Sequence, residues 1–404
     1  MHDEFGTWML GYTPYGGGDY GDVAAVAAQV GEGDDGAFYD AWVAAGDRAA
    51  AEAGTAAAAG HRSSAEELYL RASAFYASAY HPLYGTPVDP RLLHAYRAQV
   101  RAFDRAIALR RTPVRPTEVL LPDPARGSVR MPVYLIPAPG HEIEVRPLLI
   151  LVNGYDATIT DMYFASAVAA LGRGYHCLLF DGPGQGGVLY EQGVPLRPDW
   201  EVVVAAVIYH ALESAIVDRD RIVVSGWSLG GYLAPRAASG DTRIAACIAD
   251  PGQWDLGVPV RALLQRFGAT PHQVADPALL DDAVLDRVIE TVRADPGLAW
   301  GVLRRGFWAN GVTDLRGFLT QTLRFTLRDR VAGIRCPGLL TRAENDPLAA
   351  GVADFAAALS APTTVLEFAA AKGAGEHCEM RNRSLLNRRV LDWLDDTLAS
   401  QDRP

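Results

Sequence analysis

Residues 221–239, RIVVSGWSLGGYLAPRAAS, read as a strand, a sharp turn and a helix. Ile222, Val223 and Val224 form a short apolar run suited to a buried parallel strand, and Gly226-Trp227-Ser228-Leu229-Gly230 fits the G-x-S-x-G pattern of a nucleophile elbow. Ser228 then sits at the turn. A strained strand-to-helix corner forces its neighbours against one another, and Gly226, Gly230 and Gly231 remove the side chains that would collide there. The free N–H groups of the helix's first turn point toward the serine, which suits an oxyanion. In a chain with 40 glycines the pattern also arises by chance, so the surrounding sequence has to decide.

Working outward, strand and helix alternate on both sides of the elbow. TEVLLP and VRMPVYLIP read as paired strands, and PLLILVN is a near-continuous apolar run typical of a strand covered on both faces. A helix (about 161–173), the strand YHCLLFD and a helix (about 199–214) lead to the strand before Ser228, and residues 244–250 form a sixth strand. After an interruption the alternation resumes with PGLLTRA, a helix (about 348–359), TTVLEF and a closing helix (about 384–398). This pattern calls for an α/β fold with a doubly wound, mostly parallel sheet formed by residues 113–252 and 332–404. The interruption, residues 253–331, carries helical patterns without a convincing strand and is expected to be a helical lid inserted after the sixth strand. Residues 23–112 read as a helical module, with Ser64-Ala65-Glu66-Glu67 as a capping box opening one helix. Residues 1–22, rich in Gly and Tyr, read as an irregular arm.

The composition, 49% hydrophobic and 21% charged over 404 residues, is that of a globular protein able to bury a sizeable core. A net charge of −11 with no basic run argues against nucleic acid as a partner. The N-terminus MHDEFGTWMLGY has neither a signal peptide nor a membrane-spanning pattern, so no membrane partner and a cytoplasmic location are expected. Cys177, Cys247, Cys336 and Cys378 are scattered singly, which speaks against a zinc site or a disulfide framework; neither a metal nor a cofactor is expected.

A serine hydroxyl is a weak nucleophile until a base takes its proton, and the base needs an acid to hold its tautomer. In a sheet of this order those partners lie on loops after later strands. The loop after PGLLTRA holds Glu344, Asn345 and Asp346, and the loop after TTVLEF holds His377. Asp346 is the expected acid, with Glu344 as its competitor, and His377 the expected base. The oxyanion is expected to meet the N–H of Leu229 and that of Tyr155, in the loop Asn153-Gly154-Tyr155-Asp156 after the first central strand. The side chains of Tyr155, Asp156 and Trp227 are candidates for the substrate pocket. FDGPGQGG, residues 180–187, imitates a phosphate-binding glycine loop only loosely and reads as a tight loop packed beside the elbow.

Through NGYDATITDMYF, FDGPGQG, GWSLGGYLAPRAA and GAGEHCE, residues 117–398 resemble the α/β-hydrolase superfamily. More narrowly, the chain is similar to the branch that includes 2,6-dihydropseudooxynicotine hydrolase and the fungal yellowish-green pigment hydrolases. The resemblance implies an α/β-hydrolase fold, a helical N-terminal cap that often contributes to a homodimer, and Ser228, Asp346 and His377 at the triad positions. It also implies carbon–carbon cleavage of β-diketone-like or polyketide substrates, or ester or amide hydrolysis, and an additional acidic residue near the serine, for which Asp250 and Asp255 are candidates. The expected partner is a small carbonyl-containing metabolite. Acyl transfer or cyclisation by the same residues, and a non-catalytic binding role on the same fold, stay open at this point.

Overall fold

A computed structural model describes residues 2–401, without the side chains of residues 3 and 4; the outermost ends of the first and last expected segments lie outside the described residues. The strands are β1 (Thr117–Asp123), β2 (Gly127–Ile136), β3 (Arg146–Val152), β4 (His176–Phe180), β5 (Val217–Trp227), β6 (Ile244–Asp250), β7 (Gly338–Ala343) and β8 (Thr363–Phe368). They form one sheet in the order β1-β2-β4-β3-β5-β6-β7-β8. Strand β2 runs antiparallel to β1 and β4, and every other pairing is parallel.

The apolar runs fit this arrangement because both faces of the central strands are covered. Ile222 and Val224 pack with Leu148, Ile150 and Val152 on one face, while Val223 packs with Leu149 and Leu151 on the other. Each such side chain contributes roughly 1.5–3 kcal/mol when fully buried. Parallel pairing brings the carboxyl ends of β3, β5, β6, β7 and β8 to one edge, so the loops that follow them meet there.

The N-terminal region contains α1 (His2–Tyr12), α2 (Tyr20–Val30), α3 (Asp35–Ala58), α4 (Arg62–Ala79) and α5 (Pro90–Ala108). Two expectations are corrected. The stretch expected to be an irregular arm is helical over His2–Tyr12, where Phe5, Met9 and Tyr12 recur at helical spacing and are buried. Gly6 and Gly11 weaken intrinsic helicity, but Gly11 lies so close to the Met380 carbonyl that a side chain there would collide with it. Tyr12 then anchors the helix end by donating its hydroxyl to Asp161 at 3.0 Å. Second, α4 opens at Arg62, ahead of the expected capping box. The Arg62 guanidinium reaches the carbonyls of Leu109 (2.5 Å) and Arg110 (2.7 Å) beyond the end of α5, tying the two helices together.

Residues 253–331 are mainly helical, with Gly257–Arg266, Asp282–Ala294 and Leu315–Leu323 sharing a small apolar core around Leu264, Val284, Val288 and Leu319. The base of this insertion is pinned by Asp255, whose fully buried carboxylate pairs with Arg261 and Arg328 at 2.5 Å each. Among the described residues, no helix is long and apolar enough to cross a membrane.

Candidate active site

At the end of β5 the chain turns through Ser228 with φ 57°, a left-handed conformation that costs a non-glycine residue energy and is held by its surroundings. The Ser228 N–H donates to the Asp250 carbonyl at 2.6 Å. A side chain at Gly226 would run into the Gly230 carbonyl, which is why the corner closes only on glycine.

His377, on the loop after β8, places Nε2 2.9 Å from Ser228 Oγ and Nδ1 2.7 Å from Asp346 Oδ2. Asp346, on the loop after β7, is buried, and its other oxygen accepts the Leu348 N–H at 2.9 Å. With the proton on Nδ1 facing Asp346, Nε2 is free to accept the serine proton. Burial disfavours the His377 imidazolium, but the hydrogen bond and charge of Asp346, helped by Asp250 and Asp156, outweigh it and raise the pKa above its ordinary value. Glu344 is exposed and accepts the Ala370 N–H at 2.7 Å instead of meeting His377.

The loop after β3 lies directly against the elbow. A side chain built on Gly154 would stand 2.7 Å from Ser228 Cβ and 2.7 Å from the Trp227 carbonyl oxygen. Among the described residues, no group accepts a hydrogen bond from the N–H of Tyr155 or of Leu229. Gln185, from the PGQG turn, fixes this loop from behind by donating to the carbonyls of Asn153 (2.8 Å) and Gly154 (3.0 Å). Asn153 in turn donates to Asp181 at 2.5 Å. Burial pushes the Asp181 carboxyl up to about 8, against the opposing pull of that hydrogen bond.

The other expected pocket residues have definite partners. Asp156 pairs with Arg305 of the insertion at 2.6 Å, and the Arg305 guanidinium lies 4.5 Å over the Tyr155 ring. The Tyr155 hydroxyl also meets the Asn310 side-chain amide, so the insertion grips the loop at three points. Trp227 is buried, 5.8 Å from the Trp8 ring. The Asp250 carboxylate accepts from Thr341 (2.8 Å) and pairs with the buried Arg383 (2.9 Å), while Asp255 is the pin at the base of the insertion. Neither presents a free carboxylate beside Ser228.

Sequence reasoning missed Gln185, Arg305, Arg383 and Glu379. Glu379 is buried with φ 47° beside Cys378 with φ 53°, directly after His377. Burial and the adjacent Asp250 push its carboxyl well above the usual range. The two consecutive left-handed residues in HCEM carry no sequence signal, since neither is glycine. Among the described residues, no cluster of His, Cys, Asp and Glu has the grouping of a metal site.

Comparison with known proteins agrees with this fold. The profile described as the alpha/beta hydrolase family matches residues 149–384. The hydrolase LUC6 of a Fusarium species is 32% identical, over 97% of this chain and 95% of its own. The 20-hydroxy-prefusarin hydrolase FUS2 of Gibberella moniliformis is 31% identical over the same shares. Among solved structures, the 2,6-dihydroxy-pseudo-oxynicotine hydrolase superimposes with a TM-score of 0.73 at 23% identity, covering 98% of this chain and 97% of that one.

Proposed function

The chain belongs to the alpha/beta hydrolase family, and on that premise we propose that it is a serine hydrolase with Ser228, His377 and Asp346 as its triad. The observation that carries this reading is the hydrogen-bonded line Asp346–His377–Ser228, ending beside two unengaged backbone N–H groups. His377 Nε2 takes the hydroxyl proton as Ser228 Oγ bonds to a substrate carbonyl carbon. The N–H groups of Leu229 and Tyr155 receive the negative charge that develops on the carbonyl oxygen, and Asp346 stabilises the imidazolium. His377 then returns the proton to the leaving atom as its bond to the carbonyl carbon breaks. Water, deprotonated by the same imidazole, releases the acyl group from Ser228.

The leaving atom is a carbon when the substrate is a β-diketone, since the departing pair of electrons is delocalised as an enolate; it is oxygen or nitrogen for an ester or amide. We assign a small carbonyl-containing metabolite of polyketide-like or aromatic type as substrate. The support is the relative named as a 20-hydroxy-prefusarin hydrolase, together with the sequence resemblance. The same proposal includes a cytoplasmic location and pairing of two copies through the N-terminal helices.

The test uses 1-phenylbutane-1,3-dione and p-nitrophenyl acetate with wild type and Ser228→Ala. Acid and ketone products from the diketone, or p-nitrophenol from the ester, are expected from wild type and are lost in the variant. Equal rates from both proteins would refute the assignment.

A further inference from the structure

Helix α1 carries no triad residue, yet it lies among the elements around the triad. Its Trp8 ring stands 5.8 Å from Trp227, the residue before Ser228, and 5.3 Å from His81, which follows α4. Phe5 stacks on the other flank of this group, 4.4 Å from His81 with the rings 10° apart, and meets Trp300 of the insertion edge-on at 5.3 Å. Trp300 lies 5.0 Å from the Arg305 guanidinium, and Arg305 covers Tyr155, whose N–H is assigned to the oxyanion. A circuit of flat groups therefore runs from Trp227, the residue before Ser228, to Tyr155. Five separate parts of the chain build it: α1, the turn after α4, the end of β5, the insertion and the loop after β3.

The polar atoms of this circuit are unusual as a group. Ten buried side-chain nitrogen and oxygen atoms lack a hydrogen-bond partner among the described residues, and five of them lie here. They are Nε1 of Trp227, Nε1 of Trp300, Nε2 of His81, Nε of Arg305 and Oδ1 of Asp156. Buried polar groups are ordinarily paired, so such a concentration points to something that pairs with them. Both indole nitrogens and the arginine Nε are donors only, so most of what they require is acceptor oxygen. Flat rings offset by 4–6 Å favour a flat, conjugated partner over a saturated one.

We infer that α1 is a wall of the substrate site, and that Trp8 and Trp300 determine specificity by stacking on a flat, conjugated acyl chain bearing oxygen acceptors. This rests on Ser228 being the reacting residue, but its test reads binding separately from turnover. Methyl cinnamate and its saturated counterpart methyl 3-phenylpropanoate are titrated into Ser228→Ala by calorimetry. Binding of the conjugated ester at least tenfold tighter is expected. Trp8→Leu and Trp300→Leu, which retain apolar volume without a flat ring, are each expected to erase most of that ratio, and Trp8→Phe to restore it.

In the Ser228 protein, the p-nitrophenyl esters of the same two acids report kinetics. The leucine variants are expected to raise KM for the cinnamate several-fold more than they lower kcat. Equal binding of the two esters, or a conjugated-to-saturated ratio that survives both leucine substitutions, would overturn the inference. If the ratio appears and responds to Trp8 while wild type hydrolyses neither ester, the wall stands and the assignment of the nucleophile falls. Should Trp8→Leu fail to fold, Trp300→Leu alone decides the outcome.

Discussion

The contact between Gly154 and the elbow gives the most exposed prediction about the oxyanion donors. Replacing Gly154 with alanine puts a methyl group 2.7 Å from Ser228 Cβ, 2.7 Å from the Trp227 carbonyl oxygen and 3.3 Å from the Leu229 nitrogen. Carbon atoms pack best at about 3.5–4.0 Å, so the loop must withdraw by roughly 1 Å. Two of the three obstacles are backbone atoms, and the third belongs to a residue already held at φ 57°, so the elbow has little freedom to yield. The loop that moves carries the Tyr155 N–H. A misplacement of about 1 Å costs on the order of 10²-fold in rate, and loss of one oxyanion donor about 10²–10³-fold, so kcat on p-nitrophenyl acetate should fall by about two orders of magnitude. Thermal denaturation distinguishes this from unfolding. A folded Gly154→Ala protein within threefold of wild-type kcat would refute the placement of that donor.

Other outcomes follow from the same geometry. Asp346→Asn should lower kcat by about 10³–10⁴-fold by favouring the wrong imidazole tautomer, whereas Glu344→Gln should change it less than threefold; steady-state kinetics on one ester checks both. Only neutral His377 can accept the serine proton, and its pKa is raised from 6.5, so kcat/KM should fall on the acid side through a midpoint above 6.5. A midpoint below 6.5 would contradict the Asp346 pairing. Asp181 is raised from 3.8 to about 8, so between those values the folded state binds more protons than the unfolded one and stability should decline as pH rises. Urea denaturation of Asp181→Asn should show a gain over wild type that grows from pH 4 to pH 8 and then levels off. Gln185→Leu, which frees the carbonyls of Asn153 and Gly154, should lower kcat more than it raises KM.

Much of the architecture is legible because it is written in local pattern. Strands covered on both faces need apolar residues at every position, as in Leu148–Val152 and Ile222–Val224, and their order with the intervening helices specifies a parallel sheet. The order Ser228, Asp346, His377 is legible for the same reason, since each residue follows a recognisable strand. What escaped the reading depends on contacts distant in sequence. Helix α1 is masked by Gly6 and Gly11, and the reason for the second glycine is residue 380. Arg305 finds Asp156 across 149 positions, and Arg383 finds Asp250 across 133. Those pairings turn two carboxylates that look available in the sequence into parts of the scaffold.

The claim on which everything else depends is that Ser228 is the activated nucleophile. The most direct measurement is reaction of the whole protein with a fluorophosphonate, followed by peptide mapping by mass spectrometry. One adduct per chain is expected, located on Ser228, absent in Ser228→Ala and formed far more slowly in His377→Ala. An adduct on another residue, or labelling of Ser228 at the same rate without His377, would contradict it.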